Sequence, residues 1–507
     1  MEEKLKISQS NVIKYNILMS LLLQIATIAS GFIIPKLILS TFGSEVNGLV
    51  SSLNQFLNYI SLLEGGISGV IMANLYKPLY EKDNEKISSI VKTTRSFFKK
   101  IAIIFTIYTL ILGVIYPFVV KTSFSYIYIF SLVLILSFNL FNQYFFSLTL
   151  KLLLQSDKKI WFISLIQVIC IVLNICVTYI IIKLYPSIHI VKLLTAIIFL
   201  LQPLIYNFYV KKHYDLNKNA PIDNNLIKDR WNGFGINIAS FVHNCTDEVI
   251  LSIFTNLSNV SIYAIYLMVV NGIKSFVNAI SNAINPSLGN KIAKGNKQEL
   301  NDFFDLNEFL IYFVTYFLFT VGGLLITPFV MIYTNDINDT NYYQPFLGWS
   351  MILAEFIFCI RDPYVGIAYS ANEFKKITPY AIIEAILNII VSLILVFFLG
   401  INGVAIGTVV SLAYRTFMQI YFLRKNILNR PMIKAFKKLL IFSFGFILIV
   451  LISNTLITID YTILGWIKSG IIISLLSLIV YSIISYIFYN KEFEFLLNRL
   501  KLRKDKK

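Results

Sequence analysis

The chain has 507 residues, of which 57% are hydrophobic, 15% aromatic and only 14% charged, and its mean hydropathy is +0.72. A soluble globule could not bury that much apolar surface, so the composition excludes a soluble enzyme or binding domain and predicts an all-α membrane protein. Basic loops beside an anionic lipid leaflet explain the net charge of +17, so nucleic acid is not an expected partner.

Long apolar runs follow one another along the whole chain. A bilayer core of about 30 Å needs about 20 residues of helix, and about 14 transmembrane helices are predicted on that basis. In chain order they cover residues 12–36, 46–73, 99–120, 127–150, 160–182, 190–210, 233–255, 260–288, 309–332, 346–370, 378–399, 402–423, 438–458 and 463–488.

The basic residues give these helices an orientation. Most of the 44 Lys and Arg residues fall in the segments that face one side of the membrane. By the positive-inside rule that side is the cytoplasm, so both termini are predicted to be cytoplasmic. The connections on the other side are short, the longest covering about residues 333–345. They leave no outer domain for an active site, which disfavours a membrane polymerase or ligase.

Cysteine and histidine do not suggest a metal or cofactor. The cysteines all fall inside predicted helices, and the three histidines are scattered. We therefore expect no disulfide framework, no metal site and no cofactor. In the loop at 77–98, Ile87, Ile90 and Val91 recur at helical spacing among basic residues, which predicts a helix lying in the membrane interface.

Weak internal similarity divides the chain. ILSTF from Ile38 matches ILSIF from Ile250, and Lys158-Lys159-Ile160 matches Lys375-Lys376-Ile377. These matches run in order and predict two six-helix bundles of like orientation, with a substrate cavity between them. The predicted domains are a bundle at 1–212, a cytoplasmic linker at 213–232, a bundle at 233–425, and two extra helices with a basic tail at 426–507.

Polar side chains recur every third or fourth residue along several predicted helices, so each set shares one helical face. Such faces avoid lipid, and their presence on corresponding helices of both halves favours a hydrated cavity over helix-to-helix contacts alone. Amide groups in this number suit sugar hydroxyls. The faces hold Asn16, Ser20, Gln24 and Thr27; Ser51, Gln55, Asn58, Ser61, Glu64 and Ser68; Asn237, Ser240, Asn244 and Asp247; Asn271, Lys274, Asn278, Asn282 and Asn285; and Glu384, Asn388 and Ser392.

Charged residues inside the predicted helices each cost about 2.5 to 3.5 kcal/mol on insertion scales. Lys274 and Arg361 lie near the middle of their helices and could contact an anionic headgroup, or could be paired by neighbouring acids. Glu384 and Arg415 lie at similar depth, which fits a structural ion pair as well as a functional role. Asp247 could be a proton or cation site, or a partner of Lys274. The remaining acids are Glu64, Glu248, Glu355 and Asp362.

Four stretches resemble the polysaccharide-transport branch of the multidrug/oligosaccharidyl-lipid/polysaccharide flippase superfamily. The resemblance implies translocation of undecaprenyl-diphosphate-linked sugar repeat units to the outer leaflet of the bacterial cytoplasmic membrane, for capsule, exopolysaccharide or O-antigen. It also implies a driving H⁺ or Na⁺ gradient and partner proteins such as a polymerase. The stretches are LYKPLYEKDNEKI (75–87), DEVILSIFTNLSNVSIYAIYLMVVNGI (247–273), NPSLGNKIA (285–293) and IIEAILNIIVSLILVFFLGINGVAIGTVVSLAYR (382–415).

The resemblance assigns roles to residues of this chain. Arg361, Arg415, Lys274 and Lys14 become diphosphate or acidic-sugar contacts, and the last two helices either border a groove for the polyprenyl tail or are scaffold. The excess of acids leaves a cation-coupled multidrug antiporter as the alternative. The expected amide lining is Asn58, Asn271, Asn278 and Asn282, and the expected ion-coupling residues are Asp247, Glu384 and Glu64.

Overall fold

A computed structural model describes residues 9–223, 225–226, 234–293, 296–371 and 373–501. These residues form helices joined by short connections, with no strand among them, which confirms the predicted all-α class. Their contacts divide the chain into two compact units, Met1–Ser261 and Ile262–Lys507. The predicted domain limits stay predictions, and much of the segment 224–233, at the end of the predicted linker, lies outside the described residues.

The first unit contains eight helices and the start of a ninth. They are α1 (Gln9–Asn58), α2 (Ile67–Glu81), α3 (Asn84–Val119), α4 (Tyr126–Asn142), α5 (Leu148–Ser156), α6 (Ile160–Leu184), α7 (Ile188–His213), α8 (Phe234–Phe254) and α9 (Leu257–Ala293).

The second unit contains the larger part of α9 and the helices that follow. They are α10 (Lys297–Tyr333), α11 (Pro345–Ile360), α12 (Asp362–Ser370), α13 (Phe374–Leu399), α14 (Ile401–Leu423), α15 (Ile433–Leu456), α16 (Ile463–Phe488) and α17 (Asn490–Lys501).

Ten helical segments among the described residues are long and apolar enough to cross a membrane. One of them, Lys14–Glu64, covers the first two predicted runs. The predicted runs that match α8, α11 with α12, and α14 are not among the ten, and the count of 14 stays a prediction.

Glycine bends the chain between the first two predicted runs and breaks the helix inside the second. α1 bends at Gly43, whose φ of 81° lies in the region that glycine adopts without a steric cost. After α1, a 3₁₀ turn at Tyr59–Glu64 ends at Gly65 and Gly66, with φ of 58° and 86°, before α2 begins. The second apolar run is therefore a broken element, because two successive left-handed residues cannot continue an α-helix.

The interfacial helix predicted at 77–98 is wrong. Its apolar residues belong to the N-terminal part of the 36-residue α3, and Ile87, Ile90 and Val91 are buried in the core of the first unit. Asp83 accepts a hydrogen bond from the Lys86 backbone N–H, which begins this helix and lowers the pKa of the carboxyl group.

The last two apolar helices, α15 and α16, pack on α10. Phe442 and Tyr481 lie in one aromatic cluster with Tyr316, and the ring centroids of Tyr316 and Phe442 are 5.3 Å apart. Trp466 Nε1 on α16 donates a hydrogen bond to the carbonyl oxygen of Leu325 at 3.1 Å. These helices are therefore an integral layer of the second unit.

Candidate functional site

Three charged residues meet inside the second unit. Glu384 on α13 forms an ion pair with Arg415 Nη1 on α14, and the same carboxylate lies 3.8 Å from Arg361 Nη1. Arg361 and Glu384 are each 2% exposed and Arg415 is 6% exposed. One carboxylate thus faces two guanidinium groups, and we call these three residues the Arg–Glu–Arg cluster.

The cluster depends on a break in the helix that was predicted as one run at 346–370. α11 ends at Ile360 and α12 begins at Asp362, leaving Arg361 at the junction. Arg361 keeps right-handed helical dihedral angles (φ −79°, ψ −22°), and Pro363, which has no N–H to donate, lies in the first turn of α12, where that N–H is not needed. The junction brings the Arg361 side chain to α13 and α14.

Several polar atoms in this region have no hydrogen-bond partner within the described part of the chain. They include Nε and Nη1 of Arg361, Nε of Arg415, and both side-chain polar atoms of Gln419. Gln419 lies one turn after Arg415 and is fully buried. Buried polar groups are almost always hydrogen-bonded, so unfilled donors at this density indicate a place where a ligand or water belongs. The sequence analysis missed Gln419, although its spacing from Arg415 places both on one face.

Lys274 has a counter-charge of its own. Its Nζ lies 2.9 Å from Glu355 Oε2, and both side chains are buried. The ammonium also lies over the Phe358 ring, 4.0 Å from the centroid. Asp362 Oδ2 accepts a hydrogen bond from Ser281 Oγ at 3.1 Å. Around the junction, three cations therefore face the three carboxylates Glu355, Asp362 and Glu384.

The predicted polar faces divide into structural and open positions. Asn388 Nδ2 donates to Thr408 Oγ1 at 3.0 Å and joins α13 to α14. Asn16 accepts from the Trp161 N–H at 2.8 Å and donates to the Lys158 carbonyl oxygen at 3.0 Å, so it fixes the start of α6. The other predicted lining residues are exposed (Lys14, Asn271 and Asn282) or half-buried (Asn58 and Asn278).

The ion-coupling candidates of the first unit lie in separate places. Asp247 is buried on α8, and the adjacent Glu248 accepts hydrogen bonds from Ser51 Oγ at 2.5 Å and Gln55 Nε2 at 3.2 Å. Glu64, at the end of the 3₁₀ turn, accepts a hydrogen bond from the Tyr144 hydroxyl at 2.6 Å. Two of the predicted polar residues on α1 therefore bind the carboxylate of Glu248.

A second buried charge network was missed by the sequence analysis. Glu308 on α10 is 1% exposed and accepts from Arg424 Nη2 at 2.9 Å and from Lys438 Nζ at 2.7 Å. Tyr364 also donates to it. Glu308 and Arg424 lie one residue outside predicted helices and Lys438 is the first residue of another, so only the fold brings them together. With every carboxylate oxygen occupied, this network is structural.

Each unit also contains a cavity. The second unit has an apolar cavity of about 300 Å³ between α10, α11 and α15, lined by residues such as Phe319, Trp349 and Phe446. The first unit has a polar cavity of about 210 Å³, lined mainly by amide side chains and Lys151.

The fold is that of known membrane transporters. The chain is similar to the solved structure titled "Lipid II flippase MurJ, inward closed conformation", with a TM-score of 0.72 over 94% of this chain and 99% of that one, at 17% identity. It is also similar to an inward-facing multidrug resistance MATE family transporter of the MOP superfamily, with a TM-score of 0.63 over 79% and 94% of the two chains, at 12% identity.

A third solved structure, that of the MATE multidrug transporter DinF-BH with a bound ligand, gives a TM-score of 0.61 over 82% of this chain and 95% of that one, at 15% identity. No protein-family model and no curated protein sequence matches the chain. At these identities the likeness shows the fold alone. Together with ten apolar helices, it makes the chain a multi-pass membrane protein with the fold of MOP-superfamily transporters.

Proposed function

We propose that the protein is a flippase that moves undecaprenyl-diphosphate-linked sugar repeat units from the inner to the outer leaflet of a bacterial cytoplasmic membrane, for surface polysaccharide assembly. The observation that carries this proposal is the Arg–Glu–Arg cluster. Its unpartnered guanidinium nitrogens are the donors that a diphosphate accepts from, and guanidinium groups bind phosphate oxygens in bidentate fashion.

The cluster is closed in this structure. Because Arg361, Glu384 and Arg415 are nearly inaccessible, a headgroup could reach them only in a conformation where α12, α13 and α14 separate. Such a conformational requirement is the basis of alternating access, in which a site is exposed to one side of the membrane at a time. Lys274 would become a further contact once its ion pair with Glu355 opens.

Carboxylates in the same region supply the coupling step of the proposal. The Arg–Glu–Arg cluster has a net charge of +1, so binding a doubly charged diphosphate leaves a net negative charge, which is costly in a low-dielectric interior. Binding of H⁺ or Na⁺ at Glu384 would offset that charge. Asp247 and Glu64 in the first unit remain proposed coupling residues, and a polymerase remains a proposed partner.

The apolar cavity supports a lipid substrate. It lies between the extra helix α15 and the helices α10 and α11, and its lining is almost entirely apolar. A polyprenyl tail needs such a surface, and the wall formed by Phe319, Trp349 and Phe446 could take part of it. We therefore propose a contribution of α15 to the tail groove.

A deletion strain tests the function directly. Loss of the protein should abolish surface polysaccharide and cause lipid-linked repeat units to accumulate on the inner leaflet. When Arg361→Ala is expressed in the deletion strain, polysaccharide export should be at least tenfold lower than with the parent protein, since charge-assisted hydrogen bonds contribute about 1.5 to 3 kcal/mol each. Lys425→Ala, an exposed residue near the end of α14, is the matched control and should restore it fully. Full restoration by Arg361→Ala would remove the cluster from the mechanism.

A cation-coupled multidrug antiporter is the second candidate. The aromatic walls of the apolar cavity could accommodate a planar drug, and two of the similar structures are of multidrug transporters. Drug resistance on overexpression, with normal surface polysaccharide and normal lipid-linked sugars in the deletion strain, would select this candidate over the flippase.

A further inference from the structure

We propose that the polar cavity of the first unit binds one acidic sugar residue through its carboxylate and its hydroxyl groups. The inference rests on the proposed function, since a carrier of lipid-linked sugars is the setting in which such a residue would reach a cavity among helices. The cavity is distinct from the Arg–Glu–Arg cluster, which belongs to the second unit.

The local fold opens this cavity. After α4 the chain forms one π-helical turn, Gln143–Ser147, and then continues as α5. A π turn is rare inside helices and is frequent at functional sites, because its wider backbone redirects the side chains around it. Asn142 and Gln143 at this junction line the cavity, and they face Gln167 from α6 and Gln202 from α7.

One lining amide needs a partner. Asn142 is only 3% exposed, and its Nδ2 has no hydrogen-bond partner within the described ranges. A buried amide donor is normally satisfied by protein or by an ordered ligand. Since the cavity borders this side chain, an oxygen of a bound molecule could accept the bond.

The charge of the lining selects an anion. Lys151 on α5 contributes a cation, and no Asp or Glu is among the residues around the cavity. Glu64 interacts electrostatically with Lys151, and the Glu64 carboxylate accepts a hydrogen bond from the Tyr144 hydroxyl. Across the described residues, no carboxylate lies within ion-pair distance of Lys151, so the ammonium is available to a ligand carboxylate.

The amide side chains around the cavity limit the chemical class of the ligand further. Asn and Gln side chains present both donors and acceptors, which fit hydroxyl groups that also donate and accept. A phosphate has only acceptors at its ionised oxygens and would leave the amide carbonyls facing negative charge. A neutral sugar would satisfy the amides but leave Lys151 unpaired. An acidic sugar would pair with Lys151 through its carboxylate and with the amides through its hydroxyl groups.

Size and position agree with a single sugar. The volume of about 210 Å³ is below the roughly 300–1,000 Å³ of sites for drug-sized ligands. Lys151 and Gln167 lie within about two helical turns of the connection between α5 and α6, so the cavity is near the ends of these helices. One terminal sugar could enter while the rest of a repeat unit stays outside.

A binding experiment on the full-length protein in nanodiscs tests the site. Saturation-transfer NMR should detect D-glucuronate at about tenfold higher affinity than D-glucose. Lys151→Met should remove that tenfold preference without changing D-glucose binding, and Lys100→Met, an exposed residue of α3, should behave as the parent. The isosteric variant Asn142→Asp adds a negative charge to the cavity and should abolish glucuronate binding. It provides the test of the site if Lys151→Met does not fold.

Three results would overturn the site. They are no glucuronate binding by the parent protein, parental glucuronate affinity in Lys151→Met or Asn142→Asp, or displacement of glucuronate by an equal concentration of inorganic phosphate. A transport assay with lipid-linked acidic and neutral repeat units separates this inference from the proposed function. Equal transport of both carriers by the parent and by Lys151→Met removes the site and leaves the flippase standing. No transport of either carrier by the parent removes the flippase, and the binding result still decides the site.

Discussion

The buried ion pair between Arg415 and Glu384 is compatible with two roles, a structural one and contact with the substrate. Breaking such a pair costs about 3–5 kcal/mol because one charge is left uncompensated, whatever the pair does in function. Loss of activity in a single mutant therefore cannot separate a structural role from a substrate contact. The second guanidinium, Arg361, gives this cluster more cation than a simple structural pair needs.

A charge exchange separates the two roles. In Arg415→Glu/Glu384→Arg the pair can form again with its partners reversed, so the double variant should be at least about 1 kcal/mol more stable in detergent than Arg415→Glu alone. Export should stay at least tenfold reduced, because a carboxylate now occupies the place of a phosphate-binding guanidinium. Recovery of export together with stability would show that the pair is only structural.

A close backbone approach gives a second prediction at this scale. A Cβ added to Gly48 on α1 would lie 1.8 Å from the carbonyl oxygen of Leu257, whereas one added to Gly31 meets nothing within 4 Å. Gly48→Ala should destabilise the protein by about 1–3 kcal/mol through overpacking. Gly31→Ala should be neutral or stabilising by up to about 1 kcal/mol, since Ala favours a helix. Equal melting temperatures for the two variants would contradict the predicted contact.

For single residues, the sequence could place the charges in depth but could pair only some of them. Arg415 and Glu384 were matched by their distance from the helix ends, and the structure confirms that pair. The partner of Lys274 is Glu355, and Gln419 was not noticed at all. Helical spacing fixes which residues share a face, but which faces meet depends on tertiary packing.

At the scale of elements, the network around Glu308 joins four segments of the second unit. Glu308 belongs to α10, Tyr364 to α12 and Lys438 to α15, while Arg424 follows directly on α14. Two cations on one buried carboxylate leave no oxygen unsatisfied. This arrangement explains how the extra helix α15 is held to the rest of the unit by polar contacts as well as by its aromatic face.

Removing the Glu308 carboxylate should weaken the attachment of α15 to the rest of the second unit. Glu308→Gln leaves Arg424 and Lys438 buried without a counter-charge, so the unfolding free energy should fall by about 3–5 kcal/mol. Glu299→Gln, also on α10, breaks the partly exposed pair with Lys291 of α9; it is the control and should cost less than about 1 kcal/mol. Thermal unfolding of both variants in the same detergent measures the difference, and similar losses would mean that the Glu308 network carries little stability.

The apolar runs predicted the helices well but not their interruptions. The bend at Gly43 falls in the gap between the first two predicted runs, but hydropathy averages over about 20 residues and could not detect the glycine pair after the 3₁₀ turn or the junction at Arg361. The amphipathic start of α3 was assigned to the membrane surface, because a buried face packed on protein and one packed on lipid have the same periodicity. These interruptions include the one that builds the Arg–Glu–Arg cluster.

For the whole molecule, the sequence indicates how the chain is arranged in the membrane, and the structure shows the fold and the sites within it. Composition and charge distribution predict a multi-pass protein with a defined orientation, and the fold agrees with known transporters. Side-chain geometry within each unit then supplies a cationic cluster, a polar cavity and an apolar cavity. The orientation of the chain in the membrane matters for all three sites, because it decides which of them are accessible from the cytoplasm.

That direction is open to a direct test. Replacing the four native cysteines by serine and introducing one cysteine at a time allows labelling of intact cells with an impermeant maleimide. Lys77→Cys and Lys425→Cys, in basic segments, should label only after the cells are opened, because basic loops stay in the cytoplasm. Asn338→Cys, in the connection between α10 and α11, should label in intact cells. The reverse pattern would place the Lys- and Arg-rich side outside and would contradict entry of a cytoplasmic substrate from that face.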